Sequence, residues 1–134
     1  MWNDKSNAYK TYVGLRVYGM EMQPEEVTHA LGFPPTRVSV YKGRTVWLHS
    51  TQKNVDNFLP LEKHVTFLTA KLNPRKEELA ALQRRFATDI SCFFSSHSTV
   101  GEFYLSADAL RELADLHLSF FFDGYFSSSA KSVG

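Results

Sequence analysis

A single cysteine, Cys92, leaves this chain with no internal disulfide, and its place in the apolar run Ile90-Ser91-Cys92-Phe93-Phe94 makes the thiol a small core hydrophobe. Glycine is sparse as well: none of the seven stands in a Gly-x-Gly-x-x-Gly or P-loop spacing, so no recognised phosphate loop is present. The histidines His29, His49, His64, His97 and His117 form no His-x-x-x-His pair and adjoin no cysteine cluster, so neither a metal site nor any cofactor is expected. There is no Gly-x-Ser-x-Gly elbow for a nucleophile. No apolar run reaches the ~18 residues of a membrane helix, and no charged-then-apolar leader opens the chain, so no membrane association and a cytoplasmic location are expected.

Acid is the most informative local absence. From Val27 to Val55 there is no Asp or Glu, while Arg37, Lys42, Arg44 and Lys53 supply positive charge beside His29 and His49. The whole chain carries a net charge of only +1, which argues against nucleic acid as the partner, because that partner asks for a strongly basic face. Hydrophobic residues make up 43% of the 134, with eleven Phe, enough for one core. A single α+β domain over residues 11–126 is expected, with an N-terminal arm at 1–10 anchored only by Trp2 and Tyr9 and a flexible tail at 127–134.

The elements read in the order β-α-β-β-α-α-β-β-α-β, with helices packed on a mixed or antiparallel sheet. Val13, Leu15 and Val17 alternate with Tyr12, Arg16 and Tyr18, which points Arg16 and Tyr18 away from the core. Pro24 opens a short helix that Gly32 stops, and Phe33-Pro34-Pro35 forces a stiff corner. Two strands follow, 38–41 and 45–50, as a hairpin turning at Gly43; Val46 and Leu48 are expected toward the core, with Trp47 and His49 facing out. Leu61, Val65, Leu68 and Leu72 form a helical stripe, and Asn73-Pro74 starts a further helix. Strands are expected near 89–95 and 102–105, then a helix capped by Ser106, then a Phe-rich strand at 118–126 placed centrally in the sheet.

Those landmarks, in that order, resemble a known family: the first strand, the Pro24 helix, Gly32-Phe33-Pro34-Pro35, the Lys42-Gly43 turn, Trp47, and the closing Leu105-Ser106-Ala107 through Phe126. Together they resemble the small bacterial proteins of domain-of-unknown-function family 4279. The resemblance implies a bacterial, cytosolic, single-domain protein. It brings no activity and no catalytic residues.

For function, the acid-free stretch carries the expectation. Arg16, Tyr18, Arg37, Lys42, Arg44, Trp47 and His49 are the candidate binding residues, with guanidinium groups to hold a carboxylate or phosphate and Trp47 to stack on it. If helices covered this face, Trp47 would instead be a core residue. A non-catalytic module binding an unidentified protein or a small anionic ligand is the first reading. Alternatives are an immunity-type protein that neutralises a toxin, and an enzyme on a small anionic substrate using His49 or His97 as base and Arg44 as clamp. An open sheet edge could also pair two copies as a homodimer. The Ser-rich loop around His97 reads as a turn, because adjacency in sequence seldom gives a nucleophile the geometry it needs.

Overall fold

The period of two in the first strand sorts its side chains cleanly. Thr11, Val13, Leu15 and Val17 are buried on one face of β1 (Tyr9–Gly19), and Tyr12, Arg16 and Tyr18 stand half-exposed on the other. The structure, a computed structural model, describes residues 9–127. The expected arm at 1–8, with Trp2, and the tail from 128 onward lie outside the described residues. Tyr9 and Lys10, expected in the arm, are instead the first two residues of β1.

Pro24 opens α1 (Pro24–Leu31), where Glu25 and Glu26 meet the positive end of the helix. Gly32 ends it at φ 84°, a left-handed conformation that costs glycine little. Pro34 and Pro35 then deliver the chain to β2 (Arg37–Tyr41), which returns as β3 (Arg44–Ser50). The turn between them is Lys42-Gly43 with φ of 52° and 79°, a type I′ hairpin whose twist matches that of its strands. α2 (Leu61–Leu72) buries Leu61, Val65, Leu68 and Leu72 as its stripe requires. It passes through one 3-10 turn, Asn73–Arg75, into α3 (Lys76–Gln83), so Asn73 lies in that turn and makes no side-chain cap. After β4 (Ala87–Ser96), the hydroxyl of Ser106 accepts the Ala109 N–H at 3.1 Å and caps α4 (Ala107–Asp115), and β5 (Ser119–Phe126) closes the fold.

The sheet order is β2-β3-β1-β4-β5, antiparallel except for the parallel pair β4 and β5. It is a mixed sheet carrying helices, an α+β domain of the expected layout. The helices gather on one face. Trp47 Nε1–H of β3 donates to Thr28 Oγ1 of α1 at 3.0 Å, Gln83 of α3 reaches Thr88 of β4, and Thr69 of α2 donates to Glu112 of α4 at 2.8 Å. Val13, Leu15, Val17, Trp47, Ile90, Cys92 and Phe94 thus share one core with Val27, Leu31, Val65, Leu68, Leu79 and Leu113. Each such buried side chain contributes about 1.5–3 kcal/mol of hydrophobic stabilisation. Among the described residues no helix covers the other face.

Two expected strand features differ. Residues 102–105 form no strand, because β4 already has β1 on one edge and β5 on the other, and the segment serves instead with α4 as the crossover that a parallel pair needs. β5 lies at the sheet edge, not its centre. Its phenylalanines divide: Phe122 stacks with Phe103 of the crossover at 5.2 Å on the helix side, while Phe121 takes the open face under the Arg16 guanidinium, 5.1 Å from its ring centre. Phe on both faces therefore reflects two separate aromatic clusters.

Candidate functional site

The open face has one basic corner, built where β1, β2 and β3 run side by side. Register pairs Tyr18 with Val46 and Arg16 with Leu48, and the tight turn at Lys42-Gly43 brings Tyr41 opposite Arg44. Arg16, Tyr18, Tyr41, Arg44 and Val46 line a shallow depression of about 180 Å³. Its floor is fixed by Asp89 of β4. Arg16 donates to both carboxylate oxygens at 2.7 Å, and the Tyr18 hydroxyl donates to Oδ2 at 3.2 Å. Both arms of the Arg16–Asp89 fork are charge-assisted, which locks the guanidinium plane. The bond to Asp89 holds Arg16 charged, and partial burial next to that carboxylate raises the Tyr18 hydroxyl above its usual range.

Arg44 differs from Arg16 in having no carboxylate partner among the described residues. Its guanidinium sits 5.8 Å from the centre of the Tyr18 ring, and Lys42 Nζ sits 5.3 Å from that of Tyr41. Three ion pairs occur among the described residues, Arg16–Asp89, Arg85–Glu26 and Arg111–Asp108, and none takes Arg37, Lys42 or Arg44. The corner can therefore offer Arg44 and Lys42 to an incoming anion, with Tyr18 and Tyr41 as its walls.

Five of the seven residues singled out by sequence go to this side. Arg16, Tyr18 and Arg44 line the depression, Lys42 stands at its rim in the turn, and Arg37 lies on the same face at the far end of β2. Trp47 and His49 do not join them. Val17 pairs with Trp47 and Leu15 with His49, which turns both toward the helices; Trp47 is fully buried and His49 nearly so. The alternation along β3 was legible, but its direction was reversed. Val46 and Leu48 stand on one parity of that strand and Trp47, between Thr45 and His49, on the other; the larger indole takes the core, where Thr28 satisfies its N–H. Tyr41 and Asp89 were missed; Asp89 opposite Arg16 follows from strand register, which no local pattern contains.

His49 is held at both ring nitrogens. Nδ1 lies 2.7 Å from the Pro34 carbonyl, which can only accept, so Nδ1 carries the proton and Nε2 accepts from Lys71 Nζ at 2.8 Å. Burial, against the opposing pull of the Pro34 bond and with added repulsion from Lys71, lowers the His49 pKa. His64 is also held at both nitrogens, donating Nε2–H to the Asp56 carbonyl at 3.1 Å and pairing Nδ1 at 2.7 Å with the Thr51 hydroxyl, which itself reaches the Val13 carbonyl at 3.2 Å, and burial lowers its pKa too. In the Ser-rich loop, Ser96 Oγ donates to the Val100 carbonyl and accepts the Ser98 N–H, so its hydroxyl holds the turn. Burial pushes the Cys92 thiol up to about 11, which leaves it protonated and unreactive. No group of three or more His, Cys, Asp or Glu among the described residues is placed to hold a metal ion, and no helix among them is long and apolar enough to cross a membrane.

No curated protein and no solved structure matches this chain. A family model does, the domain of unknown function DUF4279, over residues 7–127. That span takes in every strand and helix described above, and the chain belongs to the DUF4279 family.

Proposed function

We propose that this chain is a non-catalytic binding module that engages its partner through the open face of the sheet, with Arg44 as the anion-holding group of the basic corner. One observation carries the reading: a sheet face that no described helix covers, bearing a depression in which Arg44 lies over Tyr18 with no carboxylate of its own among the described residues. Tyrosine and arginine together make up the composition that supplies most of the energy at protein interfaces. The enzyme alternative is weaker. His49, its intended base, lies on the opposite face with both nitrogens engaged. The bacterial cytoplasm is the setting that fits a small module of this kind.

A titration of nitrogen-labelled protein with citrate, inorganic phosphate and poly-glutamate tests the reading. Amide shifts gathered on Arg16, Tyr18, Tyr41 and Arg44 that weaken about tenfold in affinity in Arg44→Ala, roughly the loss of one charge-assisted contact, are the expected result. Shifts spread evenly over the surface, or unaltered in Arg44→Ala, would overturn it.

A further inference from the structure

The free edge of the sheet beside the basic corner is strand β2, and its geometry selects what can lie against it. In a two-residue hairpin the residues flanking the turn exchange both hydrogen bonds, and every second pair inward does the same. Tyr41–Arg44, Ser39–Val46 and Arg37–Leu48 are those pairs. Val38 and Val40 therefore turn their N–H and C=O groups outward, to an edge that nothing described occupies. Val40 is 72% exposed and Val38 42%, so two β-branched side chains stand with that unpaired backbone. Their direction is toward the helix side, while Arg37, Ser39 and Tyr41 point to the open face with Arg44.

We infer that β2 receives an extended acidic segment of a partner protein as an added strand, with acidic and apolar residues alternating along it. This rests on the binding-module reading above. The backbone of such a strand would pair with Val38 and Val40, its carboxylates would meet Arg37, Lys42 and Arg44, and its apolar residues would pack beside the two valines. Charge complementarity singles out this occupant. A second copy pairing β2 with β2 would bring Arg37, Lys42 and Arg44 against the same residues of its mate, the like-charge arrangement by which edge strands resist self-pairing. The other edge, β5, offers Asp123 on its open side and lacks the basic cluster.

Selection from a display library of random peptides on the folded protein tests this, followed by titration of an enriched peptide of about six residues, the length that matches β2 at roughly 3.3 Å per residue. Enriched sequences that alternate Asp or Glu with Val, Ile or Tyr are expected. Binding one of them should slow exchange of the Val38 and Val40 amides in the unaltered protein. Val40→Pro removes an N–H that the sheet itself does not use, and should weaken binding about tenfold or more with the unfolding temperature maintained. Arg44→Glu should do the same through charge. If peptides bind and Arg44→Glu abolishes binding while Val40→Pro and the two amides are unaffected, strand addition is overturned and the open-face module survives. Enrichment without acidic residues, or displacement of the peptide by oligothymidylate with higher affinity than the peptide itself, overturns the acidic strand. No enrichment at all, together with no anion response at Arg44, removes both readings.

Discussion

At the scale of single residues, the two buried histidines carry the clearest consequence. His49 and His64 each donate one ring N–H to a backbone carbonyl, and at His49 the other nitrogen faces the Lys71 ammonium, a pairing that only a neutral imidazole can accept. Burial lowers both values below the usual 6.5. The sign follows directly. As pH falls through 6.5 the unfolded chain takes up protons at these positions while the folded one does not, so folding stability falls. The loss continues until the lower folded values are passed and then levels off, and above 6.5 these two groups have no effect. Urea unfolding at pH 7.5 and pH 5.5, about one unit on either side, should therefore show a smaller unfolding free energy at the acid value. A higher stability at pH 5.5 would contradict the neutral assignment. Ring signals of His49 and His64 should change to those of the charged form at a lower pH than the signals of an unstructured histidine.

At the scale of elements, the β2–β3 hairpin contains a turn that its sequence fits imperfectly, one of three places among the described residues where a non-glycine residue, Glu21, Lys42 or His117, takes a positive φ. A type I′ turn needs positive φ at both central residues; Gly43 meets this freely and Lys42, at 52°, does not. Lys42→Asn places at that position the residue most often found there. It should stabilise the fold by about 0.5–1 kcal/mol, read as a higher midpoint of thermal unfolding. A fall in the midpoint would mean that the contact of Lys42 Nζ with the Tyr41 ring outweighs the backbone strain. The same hairpin shows how far sequence reasoning reaches. Gly43, the helix stop at Gly32, the α2 stripe and the Ser106 cap were all legible, because each rests on local stereochemistry. What could not be read was which parity of β3 faces inward. Val46 and Leu48 offered one apolar face and Trp47 the other, and the choice was made by α1, which supplies Thr28 to the indole from nineteen positions away. The missing strand at 102–105 has the same origin, since edge occupancy is a property of the whole sheet.

At the scale of the molecule, the fold is lopsided: one face of the sheet is sealed by helices, and the other, which no described helix covers, is held largely by aromatic and charged side chains. Tyr12 stacks on Phe93 at 4.7 Å, Phe93 leans on Tyr125 at 5.4 Å, and Arg16 ties β1 to β4 through Asp89, so the open face is ordered across β1, β4 and β5. Among the described residues no comparable cross-strand stack reaches β2, every residue of which is exposed. Stability should therefore fall outward from β1 toward β2. In native-state hydrogen exchange, amides of β1 and β4 should open only with global unfolding, at about 5 kcal/mol or more for a domain of ordinary stability. Val38 and Val40, whose N–H groups bond to nothing within the sheet, should exchange fastest of all strand residues. The measurement also separates two states of the free protein. If Val38 and Val40 prove as protected as Val13 and Leu15 and lose that protection on dilution, the edge is occupied by a second copy in solution, and the repulsion among Arg37, Lys42 and Arg44 has been overcome by some contact outside β2. Fast exchange that is independent of concentration instead leaves the edge vacant in the free protein, with unpaired backbone and uncompensated positive charge together at one side of the sheet.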